Sequence, residues 1–297
     1  MNFGTPLADI QIRDPFIVTD GAAGRYLLFG TGGFGEAAHG GFVVRSSSDL
    51  KTWSEPRPAL TAAGPDGVTY FWAPEVHAYR GRWYLFGSFM HGTDLARPER
   101  RYTRIYVADA PDGPFRPAGE GPVTPAGWPC IDGTLHVEAD GTPWLVFVRE
   151  WVQVPDGEMH ALPLTADLSA VAGEPRRLFC ASEAAWSRPQ TWGEFSGYRV
   201  TDGPWLHRTA SGELLMLWSS FGAGGYLTGV ARSTSGTLTG PWVQSPAPLY
   251  AADGGHPMMF RTLEGELMMA LHTPNRPGFE RTKFLPVRET VDGLRLG

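Results

Sequence analysis

Apolar residues fall in short runs along the 297-residue chain, and turn-forming residues separate one run from the next. The runs Phe16–Val18 and Tyr26–Phe29, for example, lie on either side of a turn that contains Gly24. With 38 Gly and 26 Pro, nearly every window long enough for an amphipathic helix is interrupted. Short runs rich in aromatic and β-branched residues between turns are typical of β-strands. The pattern therefore predicts an all-β protein.

Five segments share one arrangement, in which a polar-then-apolar run and a glycine-containing turn precede a second strand rich in Leu, Trp, Tyr and Phe. The segments are DPFIVTDGAAGRYLLFGTG, APEVHAYRGRWYLFGSF, DGTLHVEADGTPWLVFV, DGPWLHRTASGELLMLWSS and GHPMMFRTLEGELMMALH. Their turn glycines, which a hairpin connection favours, are Gly24, Gly81, Gly141, Gly212 and Gly265. The segments recur roughly every 60 residues, a period typical of propeller blades with several strands each. We therefore predict a five-bladed β-propeller that forms a single domain over residues 1–297.

Three of the five repeats begin with an aspartate. Asp14, Asp132 and Asp202 stand at the position that the repeat pattern treats as equivalent, where the other two repeats have Ala73 and His256. The innermost strand of each propeller blade lines the central channel, so residues that open these strands converge at one mouth. A carboxylate beside an apolar strand is costly unless it faces water, a cation or a substrate. The pattern favours a polar pocket, and the alternative is that three aspartates cap three turns.

Composition narrows the class of partner. The formal net charge is −6 and the sequence has no basic run, which argues against nucleic acid and suits a small uncharged ligand. No apolar stretch is long enough to span a membrane, and the N-terminal sequence lacks the features of a secretory signal, so we expect a cytoplasmic location. Cys130 and Cys180 form neither a disulfide framework nor a metal-binding pattern.

Converging carboxyl groups suit the cleavage of glycosidic bonds. One carboxylic acid protonates the leaving oxygen, while another carboxyl group acts as a base on water or as a nucleophile. A third carboxylate nearby raises the pKa of the acid through like-charge repulsion. Aromatic side chains at the same mouth can stack on a sugar face, and the candidates are Trp72, Phe34 and Trp151. Each of the three is alternatively an ordinary core residue.

Five stretches of the chain resemble glycoside hydrolase family 43, a family of five-bladed propeller glycosidases. They are IRDPFIV around Asp14, YFWAPEVHAYRGRWYLFGS around Trp72, CIDGTLHVEADGTPWLVF around Asp132, VTDGPWLHR around Asp202 and DGGHPMMF around His256. The resemblance implies that Asp14 is the general base that activates water and that Asp132 orients the acid and tunes its pKa. It also implies that Asp202 stands where the family carries its general acid.

The chain departs from the family at Asp202, because the family usually has Glu there, in an EGP motif, and this chain has TDGP. Aspartate is one methylene shorter than glutamate, which is enough to matter for proton transfer. Either the pocket or the leaving group lies closer, or Asp202 is not the acid. Glu194, in a Gly-rich loop, is the candidate substitute, and the alternative is that Glu194 is an ordinary solvated loop residue.

His256 resembles the channel histidine that binds a central cation, often calcium, in many family members. Calcium prefers six to eight oxygen ligands, so water would have to supply most of them at this position. The alternative is a histidine that is hydrogen-bonded to the backbone in the tight turn GGHP. We expect no organic cofactor.

The resemblance implies an inverting glycosidase that acts on a short oligosaccharide and releases an α-L-arabinofuranosyl or a β-D-xylosyl residue. The chain stops soon after the fifth repeat and lacks the added β-sandwich of many family xylosidases, which favours the arabinofuranosidase. The alternative is a carbohydrate-binding propeller that has lost hydrolysis through the change at Asp202. The related retaining fructosidase-like propellers would be expected to place an EC dipeptide after the middle blade, and this chain has none.

Overall fold

The computed structural model of the protein describes residues 4–31, 41–61, 68–95, 97 and 100–297. Five four-stranded antiparallel sheets form the blades of a five-bladed β-propeller, so the predicted fold class is confirmed. Within each sheet the strands follow one another in chain order, from the inner edge of the blade outwards.

The strands are grouped by blade as follows. Strand β1 (Thr5–Pro6) pairs with β5 (Thr52–Trp53), and the first blade consists of β2 (Arg13–Asp20), β3 (Arg25–Thr31), β4 (Gly41–Ser47) and β6 (Arg57–Thr61). The second blade consists of β7 (Val68–Tyr79), β8 (Arg82–His91), β9 (Arg100–Ala108) and β10 (Arg116–Pro117). The third consists of β11 (Cys130–Val137), β12 (Pro143–Arg149), β13 (Glu158–Pro163) and β14 (Arg176–Cys180). The fourth consists of β17 (Asp202–Arg208), β18 (Leu214–Gly222), β19 (Gly225–Ser233) and β20 (Trp242–Gln244). The fifth consists of β21 (Gly255–Arg261), β22 (Leu267–Thr273), β23 (Arg281–Thr290) and β24 (Gly293–Leu296).

One hairpin lies outside the blades. It is formed by β15 (Gln190–Trp192) and β16 (Phe195–Tyr198), between the third and fourth blades. The described helical segments are the short 3₁₀ turns Leu7–Asp9 and Ala181–Glu183. No helix in the described part of the chain has the length and apolar character needed to cross a bilayer.

The predicted turn glycines connect the first two strands of each blade. All five have a positive φ, between 62° and 91°, which glycine adopts without steric cost. The hairpin connections inferred from the repeat are therefore confirmed at Gly24, Gly81, Gly141, Gly212 and Gly265.

The hydrophobic core lies between neighbouring blades and follows the two-residue period of the strands. In β12, Leu145 and Phe147 pack against the second blade, whereas Val146 and Val148 pack against the fourth. Both faces of this strand are thus buried, which explains why its sequence is a continuous apolar run rather than an alternating one. The same interblade packing positions the inner strands around the channel.

Each inner strand carries a β-bulge, which lies near the start of the strand in four blades and in the middle of β7. In all five the pairing with the second strand shifts at the bulge, where one residue has a left-handed backbone conformation. These residues are Asp14 (φ 51°), Ala73 (φ 44°), Asp132 (φ 56°), Gly203 (φ 47°) and His256 (φ 54°). The interpretation of Asp202 as the repeat equivalent of Asp14 and Asp132 is therefore wrong by one residue. Gly203 is the equivalent, and Asp202 precedes the bulge.

A bulge frees a backbone N–H from the strand ladder, and a freed N–H must find another partner. In four blades the partner is a side chain in the last half of the second strand of the preceding blade. The four donor–acceptor pairs are Ala73 N–H to Thr31 Oγ1 (2.8 Å), Asp132 N–H to Ser88 Oγ (2.7 Å), His256 N–H to Ser219 Oγ (2.9 Å) and Asp14 N–H to His272 Nδ1 (3.3 Å). The last pair joins the fifth blade to the first and so helps to close the ring.

The remaining bulge uses a different acceptor. At the corresponding position of the third blade, the residue opposite Ile131 is Val148, whose side chain cannot accept a hydrogen bond. The N–H of Gly203 instead donates to Oδ2 of Asp132, at 3.1 Å. The Asp132 carboxylate is thereby held by the backbone of the next blade.

We expect Ser88→Ala to lower the free energy of unfolding by about 1–3 kcal/mol, because it leaves the buried N–H of Asp132 without its acceptor. Urea denaturation of the two proteins measures the difference. Ser48→Ala, at an exposed position, is the matched control and should change stability little. Equal stabilities of the wild type and Ser88→Ala would contradict the structural role of this hydrogen bond.

Candidate functional site

A pocket of about 390 Å³ opens at one mouth of the channel. Its walls contain six of the predicted site residues, namely Asp14, Trp72, Asp132, Trp151, Asp202 and His256. All five blades contribute to this set. Phe34, the remaining candidate for sugar stacking, lies outside the described residues.

Asp14 is buried among cationic and hydrogen-bonding groups. Its Oδ2 accepts a hydrogen bond from the hydroxyl of Thr31 (2.8 Å), and its Oδ1 lies 3.3 Å from Nδ1 of His256 and 3.5 Å from Nε of Arg13. Burial by itself raises the pKa of a carboxyl group, but here His256, Arg13 and the hydrogen bond from Thr31 outweigh it and hold the pKa of Asp14 below its ordinary value. Asp14 is therefore a carboxylate at neutral pH.

Asp202 has the opposite electrostatic environment. Burial raises the pKa of Asp202 well above its ordinary value, and the neighbouring charge of Asp132 raises it further. A hydrogen bond links the two carboxyl groups, and Tyr226 donates its hydroxyl hydrogen to Oδ2 of Asp202. Asp202 is therefore the member of the pair that keeps a proton.

The pKa of Asp132 lies between those of Asp14 and Asp202. Burial raises its pKa to about 6, although the hydrogen bonds from Asp202 and from the N–H of Gly203 favour its charged form. Above this pH Asp132 carries the negative charge that holds a proton on Asp202. The pocket thus contains a carboxylate and a carboxylic acid, separated in pKa by their surroundings.

His272 was not anticipated from the sequence and completes the surroundings of Asp14. It is fully buried, and burial together with the nearby Arg13 lowers its pKa to about 3, so the ring is neutral. Because Nδ1 accepts the N–H of Asp14, the ring proton is assigned to Nε2, which lies 3.3 Å from Oδ1 of Asn275. Asn275 also accepts a hydrogen bond from Arg13 and so orients both side chains.

His256 faces the carboxylates. Its Nδ1 lies between Oδ1 of Asp14 and Oδ2 of Asp132, at 3.3 and 3.8 Å. Ligand atoms of Asp132, Asp202 and His256 lie within 4.8 Å of one another. This donor set of one nitrogen and two carboxyl groups falls short of the six to eight oxygen ligands that calcium prefers. Calcium at His256 stays a prediction, and no chemical step below depends on a metal.

The aromatic candidates at the pocket are partly covered by neighbouring side chains. The guanidinium group of Arg101 lies 5.0 Å from the centre of the Trp72 ring, and Arg101 is itself paired with the buried Glu150. Trp151 is stacked on Tyr198 of the β15–β16 hairpin, with ring centres 4.0 Å apart. One face of Trp151 is therefore occupied.

The same hairpin carries an aromatic residue that the sequence reasoning missed. Trp192 lines the pocket, contacts Trp151 edge-to-face and is 46% exposed. An exposed indole beside a polar pocket is suited to stacking on a sugar ring. Trp192 is thus a stronger candidate for a sugar contact than Trp151.

Glu194, the candidate substitute for the acid, lies on this hairpin outside the pocket wall as far as the described residues define it. Its side chain is 65% exposed and forms an ion pair with Arg97. This placement favours the solvated loop residue over the acid.

The repeat pattern contains a signal for the residues that accept the bulge N–H groups, although the sequence analysis did not use it. In four second strands a polar residue follows an apolar run, as in YLLFGT, YLFGS, LMLWS and MMALH. These polar residues are Thr31, Ser88, Ser219 and His272, which accept the freed N–H groups of the bulges. The positions of Arg101, Glu150 and Tyr226 have no comparable repeat signal.

A carboxylate and a carboxylic acid in one pocket are the catalytic groups that a glycosidase needs, and the exposed aromatic surface beside them suits sugar binding. The sequence model of Glycosyl hydrolases family 43 matches residues 3–291, and the chain belongs to this family. The predicted family is therefore confirmed, and with it the enzymatic class of glycosidase.

Solved structures agree with this assignment. An endo-arabinase of Bacteroides thetaiotaomicron VPI-5482 is 39% identical, with a TM-score of 0.87 over 98% of this chain and 99% of that chain. An endo-1,4-beta-xylanase of the same organism is 26% identical, with a TM-score of 0.75 over 97% and 94% of the two chains. An alpha-L-arabinofuranosidase of Lactobacillus brevis, at 19% identity and a TM-score of 0.76 over 99% and 95%, shares the fold. No curated protein sequence matches the chain significantly.

We expect Asp132→Asn to lower the pKa of Asp202, because the substitution removes a neighbouring negative charge and keeps an oxygen that accepts a hydrogen bond. The carboxylic acid band of Asp202, followed by infrared spectroscopy as a function of pH, should disappear at lower pH in the variant than in the wild type. Asp202→Asn identifies the band. An unchanged titration would show that Asp132 does not hold the proton on Asp202.

Proposed function

We propose that the protein is an inverting glycoside hydrolase that releases terminal pentose residues from short oligosaccharides. The observation that carries the proposal is the opposite protonation of Asp14 and Asp202 in one pocket, with Asp132 between them. Inversion needs one carboxylate to act as a base and one carboxylic acid to protonate the leaving group. The two pKa shifts supply these states at the same neutral pH.

In the proposed reaction, Asp14 takes a proton from a water molecule, whose oxygen attacks the anomeric carbon. The bond from that carbon to the leaving oxygen breaks, and the oxygen receives the proton of Asp202. The water oxygen remains on the sugar with inverted configuration. Asp132 keeps Asp202 protonated by its charge. Activity should therefore fall when the pH rises above the raised pKa of Asp202 or drops below the lowered pKa of Asp14.

The relatives favour an arabinose-containing substrate. The structure that is 39% identical over nearly the full chain is described as an endo-arabinase, and one that is 26% identical as an endo-1,4-beta-xylanase. We propose α-L-arabinofuranosyl as the released group, with β-D-xylosyl as the alternative. The higher identity to the endo-arabinase makes cleavage inside an arabinan chain the second candidate for the reaction.

The proposed function is tested with a panel of nitrophenyl pentosides, arabino-oligosaccharides, xylo-oligosaccharides and linear arabinan. Proton NMR of the first product should show the anomer inverted relative to the substrate, because a water molecule, rather than Asp14, attacks the sugar. A retained anomer would mean that Asp14 is a nucleophile. Binding without any cleavage would support the alternative of a carbohydrate-binding propeller.

Substrates with different leaving groups distinguish the role of the acid from the role of the base. A sugar alkoxide leaves poorly without a proton, whereas a nitrophenolate does not need one. We expect Asp202→Asn to lower turnover of a disaccharide by about a hundredfold or more and to affect a nitrophenyl glycoside far less. Asp14→Asn should impair both substrates alike, since both reactions need an activated water.

Glu194→Gln is the matched control for these variants, because Glu194 is exposed and paired with Arg97. The turnover of Asp202→Asn, Asp14→Asn and Glu194→Gln on both substrates is compared by steady-state kinetics. If Glu194→Gln abolished disaccharide hydrolysis while Asp202→Asn left it intact, Glu194 would be the acid.

A further inference from the structure

Tyr226 connects the acid side of the pocket to the base side. The residue belongs to β19 of the fourth blade and is 1% exposed. Its hydroxyl group donates a hydrogen bond to Oδ2 of Asp202, and its ring is stacked on His272, with ring centres 5.5 Å apart and an angle of 16° between the planes. His272 in turn accepts the N–H of Asp14.

The backbone and the ring of Tyr226 are both held in place. The N–H of Tyr226 donates to Oδ1 of Asp253 (3.1 Å), and its carbonyl oxygen accepts the N–H of Gly254 (2.7 Å). The ring passes so close to Gly255 that a Cβ atom there would lie 2.3 Å from Cε1 of Tyr226. The hydroxyl group therefore has a fixed position relative to the inner strands.

We propose that Tyr226 is the positioning residue for Asp202, and that it sets where the shortened acid stands and which of its oxygens carries the proton. This inference rests on the proposed function, in which Asp202 protonates the leaving group. An aspartate carboxyl turns about its terminal bond at little cost, because this torsion has a broad energy profile. A donor at Oδ2 fixes that rotation.

The direction of the hydrogen bond decides the location of the proton. Because Oδ2 accepts from the hydroxyl of Tyr226, the proton of the carboxylic acid resides on Oδ1. One oxygen of the acid is thus bound to Tyr226, and the proton on the other, which is shared in the hydrogen bond with Asp132, is the one that passes to the leaving oxygen. A glutamate has one more methylene, so its carboxyl group would stand at a different distance from the strand and from this hydroxyl.

Tyr226→Phe removes the hydrogen bond and keeps the ring that stacks on His272. We expect kcat for a disaccharide to fall by about tenfold to a hundredfold, while kcat for the corresponding nitrophenyl glycoside falls less than about threefold. KM for both should stay near the wild-type value. A merely structural role would lower both kcat values together or neither of them, and either result would overturn the proposal.

Tyr106→Phe is the matched control. This buried tyrosine lies in the second blade, and its hydroxyl group has no hydrogen-bond partner among the described residues. Its loss should leave both kcat values unchanged. Thermal denaturation of the same preparations shows whether Tyr226→Phe is folded at the assay temperature. If it is not, the variant Asp202→Glu tests the positioning role instead.

Asp202→Glu keeps Tyr226 and restores the longer side chain. We expect this variant to be impaired on the disaccharide, because the added methylene conflicts with the fixed hydroxyl group. The double variant, which also contains Tyr226→Phe, should recover part of that loss, so that the two changes are not additive. Full activity of Asp202→Glu in the presence of Tyr226 would overturn the inference.

Asp202→Asn is measured in parallel to separate this inference from the proposed function. If Asp202→Asn lacks the selective loss on the disaccharide, the assignment of the acid fails. If Asp202→Asn shows that loss and Tyr226→Phe does not, the assignment stands and the positioning role of Tyr226 is overturned.

Discussion

The hydrogen bond that a bulge N–H makes to the preceding blade is the constraint on which the site depends. A bulge turns one residue into the left-handed region and takes its N–H out of the ladder. The freed N–H is buried, so leaving it without a hydrogen-bond partner would cost free energy. Thr31, Ser88, Ser219 and His272 satisfy four of these groups, and in doing so they fix the residues that line the mouth. The geometry of the site and the association of the blades rest on the same bonds.

At the remaining bulge a carboxylate takes the structural role. The side chain of Val148 offers no acceptor, and the N–H of Gly203 turns to Asp132. This bond favours the charged form of Asp132, and the charge of Asp132 in turn raises the pKa of Asp202. A requirement of the backbone is thereby linked to the protonation state of the acid. The backbone geometry at Gly203 and the pKa of Asp202 therefore depend on each other.

The sequence was sufficient for the fold and for the three aspartates and His256 of the pocket, but not for the contacts among them or for pocket residues such as Trp192. Turn glycines and the period of the repeat predict the blades, because both follow from local chain geometry. The repeat alone misplaced Asp202 by one residue, since a left-handed conformation at Gly203 cannot be recognised from spacing. Contacts between residues far apart in the chain, such as Tyr226 with Asp202 across two strands or His272 with Asp14 across the closure of the ring, depend on tertiary packing. The covered face of Trp151 has the same origin, because the hairpin that carries Tyr198 is not part of the repeat.

The register of Asp202 also explains how two carboxyl groups come close enough to share a proton. Because Asp202 precedes the bulge, the residue at the bulge itself is Gly203, and a Cβ atom there would lie 2.8 Å from Cα of His256. The absence of a side chain lets the fourth inner strand lie against the fifth while its N–H reaches Asp132. Asp132 therefore contacts the fourth blade twice, through the N–H of Gly203 and through the carboxyl group of Asp202. A side chain at position 203 would clash with His256 and displace the strand that carries Asp202, and with it the geometry by which Asp132 keeps Asp202 protonated.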